Sequence, residues 1–203
     1  MDIARATEIF DRLYAKIPAY EIAQREKKRT GKEDASVTYG EIVPQAFHEV
    51  LSAVSPREGE VFYDLGSGTG KATLLAALTF PFSRSVGIEL LPGLGDAARQ
   101  VLAQFDSEVR PTLGPEYQQR KIEFIDGDFL QADLSQADIV FAHGTCYPHE
   151  LIGQLGAKLE ELKPGARVVL AGHTFDTHHL GFVRMMLMKA DWGSSLAALY
   201  QRR

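Results

Sequence analysis

The sequence contains one cysteine, Cys146, and one tryptophan, Trp192, among 203 residues. A lone thiol excludes an internal disulfide and a cysteine-rich zinc site, and it fits a reducing, cytoplasmic setting. No apolar run approaches the ~18 residues needed to span a bilayer, so no membrane association is expected. Met1 to Ile17 carries charges throughout and lacks the apolar centre of a signal peptide. An excess of positive charge is also missing. Twenty-two Lys and Arg face 27 Asp and Glu, for a net charge of −5. Binding of nucleic acid through overall charge would need the opposite sign, so it is not expected without a local basic patch. No repeat or low-complexity tract interrupts the chain. The rest is ordinary for a folded domain, with 45% hydrophobic and 24% charged residues.

The pattern divides into a helical first part and an alternating second part. Ile3, Ala6, Ile9, Phe10, Leu13, Tyr14 and Ile17 recur at helical spacing until Pro18. Glu21 to Asp34 interleaves acids with Arg25, Lys27, Lys28, Arg29 and Lys32, the composition of a solvated helix face. Such a charged stretch is not expected to pack by itself, and Ala19 to Gly40 is expected to become ordered with ligand. Val37 to Glu41 leads into another helix, with Pro44 in its first turn and Phe47, Val50, Leu51 and Val54 as its stripe. From Val61 onward, short apolar strands alternate with helices. Strands are read at 61–65, 85–89, 122–125, 137–142 and 166–171, and helices at 71–78, 92–105 and 148–162. That alternation implies parallel pairing with right-handed crossovers. The tail differs. Strands at 182–189 and 196–202 are separated only by Asp191-Trp192-Gly193-Ser194, which forces an antiparallel hairpin. Met185, Met186 and Met188 read as core filler there.

The strongest chemical signal is Asp64-Leu65-Gly66-Ser67-Gly68-Thr69-Gly70, which follows a strand and opens a helix. Glycines in that position let the backbone turn sharply and approach a ligand, beside the free N–H groups of the helix start. The spacing is G-x-G-x-G. A dinucleotide fingerprint would place its third glycine where Lys71 stands. Asp64 would repel a pyrophosphate but attract an ammonium group. Glu89 ends the next strand, where an acid can accept from both hydroxyls of a ribose. Asp126-Gly127-Asp128-Phe129 follows the third, with Asp128 able to accept from an adenine amino group and Phe129 beside the ring. All three sites fall at carboxyl ends of successive strands, the edge where open α/β sheets bind ligands.

These motifs, with the Leu162-Lys163-Pro164-Gly165 turn, resemble the class I S-adenosylmethionine-dependent methyltransferases. Tyr39-Gly40-Glu41, and the stretch from Ala137 to Arg167, resemble the non-SET histone lysine methyltransferases that disrupt telomeric silencing. The resemblance runs from about Thr38 to Val169. It implies an α/β fold, a Rossmann-like seven-strand sheet, mostly parallel with a C-terminal antiparallel hairpin and preceded by N-terminal helices. A single domain over residues 1–203 is expected, with 1–58 as helical extension and closing loop and 59–203 as core. S-adenosyl-L-methionine is the implied cofactor. Tyr39 and Glu41 would close over its methionine end, and Asp64, Gly66, Ser67, Gly68, Thr69, Gly70 and Lys71 would surround it. Glu89 would hold the ribose, and Asp128 and Phe129 the adenine. The chain departs from the family at His143, where an asparagine is usual, and at Ile42, where a threonine is usual.

The segment Phe141 to His149 lies where the transferred methyl should point, so His143 and Tyr147 are the catalytic candidates. Methyl transfer from a sulfonium depends on placement and desolvation and needs no protein nucleophile. A lysine acceptor must lose a proton first, and an apolar slot lined by Phe47, Phe129 and Tyr147 would favour its neutral form. The Asn/Asp-Pro-Pro-Tyr signature of base-amine and amide methylation is not found. Three readings remain: N-methylation of a protein lysine, methylation of a small molecule or an oxygen with His143 as base, and a non-catalytic cofactor-binding subunit. His143 could also simply hydrogen-bond the cofactor. His143, Cys146 and His149, and likewise His173, His178 and His179, have ligand-like spacing, but Pro and Gly interrupt both sets and no metal is expected. The acceptor and the oligomeric state are not specified by these motifs.

Overall fold

The computed structural model of the chain describes residues 1–31 and 38–203. Lys32 and Asp34 of the charged stretch, and Val37 of the segment before Pro44, lie outside the described residues. Three helices come first: α1 (Ile3–Tyr14), α2 (Ala19–Thr30) and α3 (Pro44–Ser52). Asp2 caps α1 by accepting from the Arg5 N–H, and α1 ends before Pro18 is reached. Then come β1 (Val61–Leu65), α4 (Lys71–Thr79), β2 (Arg84–Glu89), α5 (Pro92–Gln104), the single turn α6 (Pro115–Gln118) and β3 (Lys121–Asp126). They are followed by β4 (Ile139–His143), α7 (His149–Lys158), β5 (Arg167–Ala171), β6 (Leu180–Ala190) and β7 (Gly193–Arg202).

The seven strands form one sheet in the order β3-β2-β1-β4-β5-β7-β6. The first five pair in parallel, while β7 runs antiparallel to both β5 and β6. The sheet therefore has the seven-strand arrangement expected, with N-terminal helices before it. The strand order reverses between β1 and β4. From β1 the chain proceeds outward to β2 and β3, and it then returns to place β4 on the other side of β1. This opens a crevice between the carboxyl ends of β1 and β4, where the chain must leave in opposite directions.

Strands buried on both faces explain the near-continuous apolar runs of β1, β4 and β5. One face packs under α1, α3 and α4 through Phe47, Phe62, Leu75, Phe141 and Val169. The other packs under α7 through Leu65, Val140, Leu155, Val168 and Leu170.

Several expectations change at this level. Within the charged stretch, Glu21 to Thr30 belong to α2, which does pack: Ala19, Ala23 and Glu26 are buried, and Ala23 meets Leu91 and Leu94 of α5 and the turn before it. Its bases remain largely on the solvent side, as expected for a solvated face. Of the methionines in β6 only Met188 is fully buried, with Met186 partly so. Met185 points to the other side of the pleat and is 43% exposed. Phe47 is also displaced from its expected place. It is fully buried against Phe62 and Phe141 in the sheet core and does not reach the crevice.

Candidate functional site

A cleft of about 550 Å³ occupies the crevice at the switch point. Its floor is the turn from β1 into α4. Gly66, Gly68 and Gly70 all have positive φ, at 80°, 56° and 82°. Two of them are also sterically required. A Cβ at Gly66 would meet the Tyr147 hydroxyl at 2.3 Å, and one at Gly68 would meet the Tyr39 ring at 2.7 Å. Gly66, Ser67, Gly68 and Lys71 line the cleft, while Thr69 and Gly70 stand behind its wall. Thr69 is fully buried there, its carbonyl accepting from the Tyr14 hydroxyl at 3.1 Å.

Two buried acids end the adjacent strands β1 and β2. Asp64 is 2% exposed and accepts from the Thr73 hydroxyl at 2.8 Å. Burial pushes its carboxyl up to about 7, against the opposing effect of the Thr73 hydrogen bonds, with Glu89 adding a like charge. Glu89 accepts from the Gly68 N–H at 2.7 Å and the Leu91 N–H at 2.9 Å. Burial also raises its pKa, against those backbone donors. So Glu89 does more than was read from its place at a strand end: it ties the glycine turn to the start of α5. Each carboxylate oxygen keeps a further lone pair for a ligand. Asp128 caps a short turn by accepting from the Leu130 N–H at 2.9 Å, and it lines the far end of the cleft with Phe129. Phe129 stacks on Tyr147 with ring centroids 5.9 Å apart.

The Tyr39–Glu41 segment forms the near wall. The Tyr39 hydroxyl donates to Glu41 at 3.0 Å and bonds the Thr69 hydroxyl at 2.9 Å. Burial and the Glu41 charge drive its phenol pKa upward, so it stays protonated. Glu41 pairs with Lys71 at 2.5 Å, and the Lys71 ammonium lies over the Phe10 and Tyr14 rings at 5.5 and 5.2 Å.

The other side of this segment is held by the β6–β7 hairpin tip, whose role no local sequence signal revealed. Asp191 accepts from the Glu41 N–H at 3.1 Å and from the Tyr20 hydroxyl, and Ile42 bridges to Ala190. Trp192, read only as part of a turn, stacks against His143 with centroids 6.2 Å apart and planes 22° apart. Tyr20, Leu91 and Leu94 join the cleft wall equally unannounced.

His143 is the last residue of β4, its ring centroid 6.3 Å from that of Phe141 and 6.2 Å from that of Trp192. Its Nε2 is buried and has no hydrogen-bond partner. Burial lowers its pKa below the usual 6.5, only partly offset by Asp191, so the ring is neutral at pH 7. Tyr147 donates to the Leu65 carbonyl at 3.2 Å, and burial raises its pKa. Its phenol is thus fixed beneath the glycine turn. The two histidine sets do not assemble: His149 packs edge-on against His173, away from His143, and among the described residues no three His, Cys, Asp or Glu side chains could hold a metal.

Comparison with known proteins places this geometry. Residues 20–180 match the family model of "Histone methylation protein DOT1". Among similar curated proteins is an H3 lysine-79 specific histone-lysine N-methyltransferase of Debaryomyces hansenii, 27% identical over 165 residues. That alignment covers 80% of this chain and 14% of the relative. The protein of the same description from Caenorhabditis elegans is 31% identical over 144 residues, covering 68% and 15%. The Aspergillus fumigatus one is 24% identical over 192 residues, covering 89% and 37%. The chain thus spans well under half the length of these relatives. Among solved structures, an RNA methyltransferase from Salinibacter ruber in complex with S-adenosyl-L-homocysteine superposes with a TM-score of 0.60 at 26% identity, covering 78% of this chain and 90% of that one. Magnesium protoporphyrin IX methyltransferase from Synechocystis, with S-adenosylmethionine bound, shares the fold at 16% identity and a TM-score of 0.58, covering 100% and 98%.

Proposed function

Because this chain belongs to the DOT1 histone methylation family, we propose that it is an S-adenosylmethionine-dependent methyltransferase acting on a lysine side chain of a protein. Histone H3 is the acceptor named for its relatives and the first to try. The observation that carries the reading is the pair of buried acids, Asp64 and Glu89, at the ends of adjacent strands around a glycine turn.

These residues fit the cofactor. Asp64 is a buried carboxyl whose hydrogen bonds come from Thr73, with no cationic side chain against it among the described residues. A buried acid left so is costly unless a cation arrives, and the ammonium of a methionine moiety supplies one. Glu89 has lone pairs to spare for two ribose hydroxyls, and Asp128 and Phe129 flank the place for adenine. Gly66 and Gly68 keep the space a Cβ would fill. Tyr39 and Glu41, strapped to Thr69 and Lys71, cover the methionine end and exclude water. When bound, the cofactor supplies a methyl on a sulfonium, which leaves with both carbon–sulfur electrons staying on sulfur as the acceptor's pair forms the new bond.

The protein's part is placement. Tyr147, Phe141 and Trp192 line the cleft, and apolar surface of that kind favours a neutral amine over an ammonium ion by desolvation. Holding the amine in line with the departing bond supplies most of the acceleration. The test uses isotope-labelled S-adenosylmethionine with recombinant histone H3, reconstituted nucleosomes and a fractionated cell extract. Label recovered as methyl-lysine is expected. Label recovered only in RNA, or only on oxygen or imidazole groups, sinks the lysine reading.

A further inference from the structure

Three charged side chains are buried among the described residues, and all are acids: Asp64, Glu89 and Glu26. The first two belong to the cofactor site. The third stands on α2 and is not among the cleft-lining residues. Its carboxylate reaches across to the start of α5. There it accepts from the Gly93 N–H at 3.0 Å, while Arg29 donates to it at 2.9 and 2.8 Å. A helix start leaves N–H groups without partners inside the helix, and α5 has no side-chain cap of its own: Leu91 stands at the cap position and Pro92 opens the first turn. Glu26 supplies an acceptor from 67 residues away, with its charge at the favourable end of the helix dipole. The approach is close enough to require a glycine. A Cβ at Gly93 would stand 2.7 Å from both Cγ and Cδ of Glu26.

The turn that Glu26 grips is the one that aims Glu89. Glu89 ends β2, and its Oε1 accepts from the Leu91 N–H while its Oε2 accepts from the Gly68 N–H. Leu91 and Leu94 pack with Ala23 of α2 in a small cluster separate from the two sheet cores, with Tyr39 against it. The turn from Glu89 to Gly93 is thus fixed from inside by the Glu89 carboxylate and from outside by Glu26.

We propose that Glu26 is a positioning residue of the cofactor site: by capping α5 it holds the Leu91 N–H where that group orients the Glu89 carboxylate toward the ribose. The inference rests on the cofactor reading above and extends it to a helix that carries none of the cofactor motifs. Glu26 itself touches neither cofactor nor acceptor and acts through Glu89. A side chain that only stabilised α2 would instead affect every ligand of the cleft alike.

Two measurements on the full chain test the proposal. Both use Glu26→Ala, which removes the cap, and Glu26→Gln, which keeps an oxygen for the Gly93 N–H. The first compares S-adenosylhomocysteine with its analogue lacking both ribose hydroxyls, by calorimetric titration. The wild type should prefer the natural ligand by about 10–100-fold, the range for hydrogen bonds to a charged group. Glu26→Ala should weaken the natural ligand on the order of tenfold, the usual effect of losing a helix cap. It should leave the analogue's affinity nearly unchanged, so the preference falls by the same factor. Glu26→Gln should keep most of the preference. The second measurement is amide hydrogen exchange on the ligand-free protein. Glu26→Ala should speed exchange at Leu91 and Gly93 about tenfold relative to Val168 in β5. Equal weakening of both ligands, a preference that survives Glu26→Ala, or unchanged relative exchange at Leu91 overturns the proposal. If the wild type binds no S-adenosylhomocysteine, the cofactor reading fails, and exchange at Leu91 still decides whether Glu26 holds the turn.

Discussion

Asp64 is where burial and charge conflict most directly. Its carboxyl is pushed up to about 7 by burial, from an ordinary value near 3.8. Between those two values the folded chain holds a proton that the unfolded chain has lost. The ligand-free protein should therefore become less stable as pH rises from about 4 to about 7. A bound ammonium reverses the preference, because it favours the ionised carboxylate. Cofactor affinity should then climb as pH rises toward 7, by at most tenfold per unit, with a proton released on binding. Calorimetry in buffers of different ionisation enthalpy measures that proton. Asp64→Asn should raise the melting temperature of the ligand-free protein near pH 7 and weaken cofactor binding. A pH-independent affinity with no proton release would remove Asp64 from the ammonium site.

Glu89 conflicts with the simple picture in another way. A strand-end acid contributes little to a core, yet this one accepts from both Gly68 and Leu91. Glu89→Ala should weaken cofactor binding by about 1.5–3 kcal/mol, the range for hydrogen bonds to a charged group. It should also lower the melting temperature, because two buried N–H groups lose their acceptor. Glu89→Gln keeps an oxygen for one of them and should lose less of each. Thermal unfolding and calorimetric titration of both variants separate the two effects.

At the scale of elements, the glycine turn, the Tyr39–Glu41 segment and the β6–β7 tip behave as one assembly. Lys71 and Thr69 hold Glu41 and Tyr39 from below, and Asp191 holds them from the hairpin. Gly68 is the tightest joint, with a left-handed backbone and the Tyr39 ring against it. Gly68→Ala should cost about 1–2 kcal/mol in backbone strain alone. It should also displace Tyr39 and reduce cofactor affinity by more than tenfold. Gly165 makes the matching control, since it has φ of 83° with nothing among the described residues within 4 Å of where its Cβ would stand. Gly165→Ala should lower stability by a similar backbone amount while leaving cofactor affinity unchanged. Equal affinities for the two variants would mean that the Tyr39 contact carries nothing.

At the scale of the whole molecule, binding at the switch point braces elements that are far apart in sequence. The cleft draws on α2, β1, β2, β4 and the hairpin tip, from Tyr20 to Trp192. A ligand at 100 times its dissociation constant stabilises by about 2.7 kcal/mol. For a chain of this size that is roughly a 5–10 °C rise in melting temperature. S-adenosylmethionine and S-adenosylhomocysteine should both give it, and NAD should not, because Asp64 stands where a pyrophosphate would be repelled. A larger shift with NAD would overturn the cofactor assignment.

Periodicity and turn chemistry in the sequence determined the alternating strands and helices, the antiparallel tail and the glycine turn, because those signals are local. They also placed Asp64, Glu89 and Asp128 at strand ends, since a strand's end is marked by where its apolar run stops. Only the tertiary structure decided what those strand ends face. The strand order sets β1 against β4 and so brings His143 beside the glycine turn. The same order turns Phe47 into the sheet core, away from the site it was expected to line. The hairpin begins at Leu180, 37 residues after β4 ends at His143, yet it returns Trp192 to the His143 ring and Asp191 to the Glu41 backbone. Contacts between residues so distant in sequence leave no short-range pattern, because their partners are chosen by sheet order and the pleat.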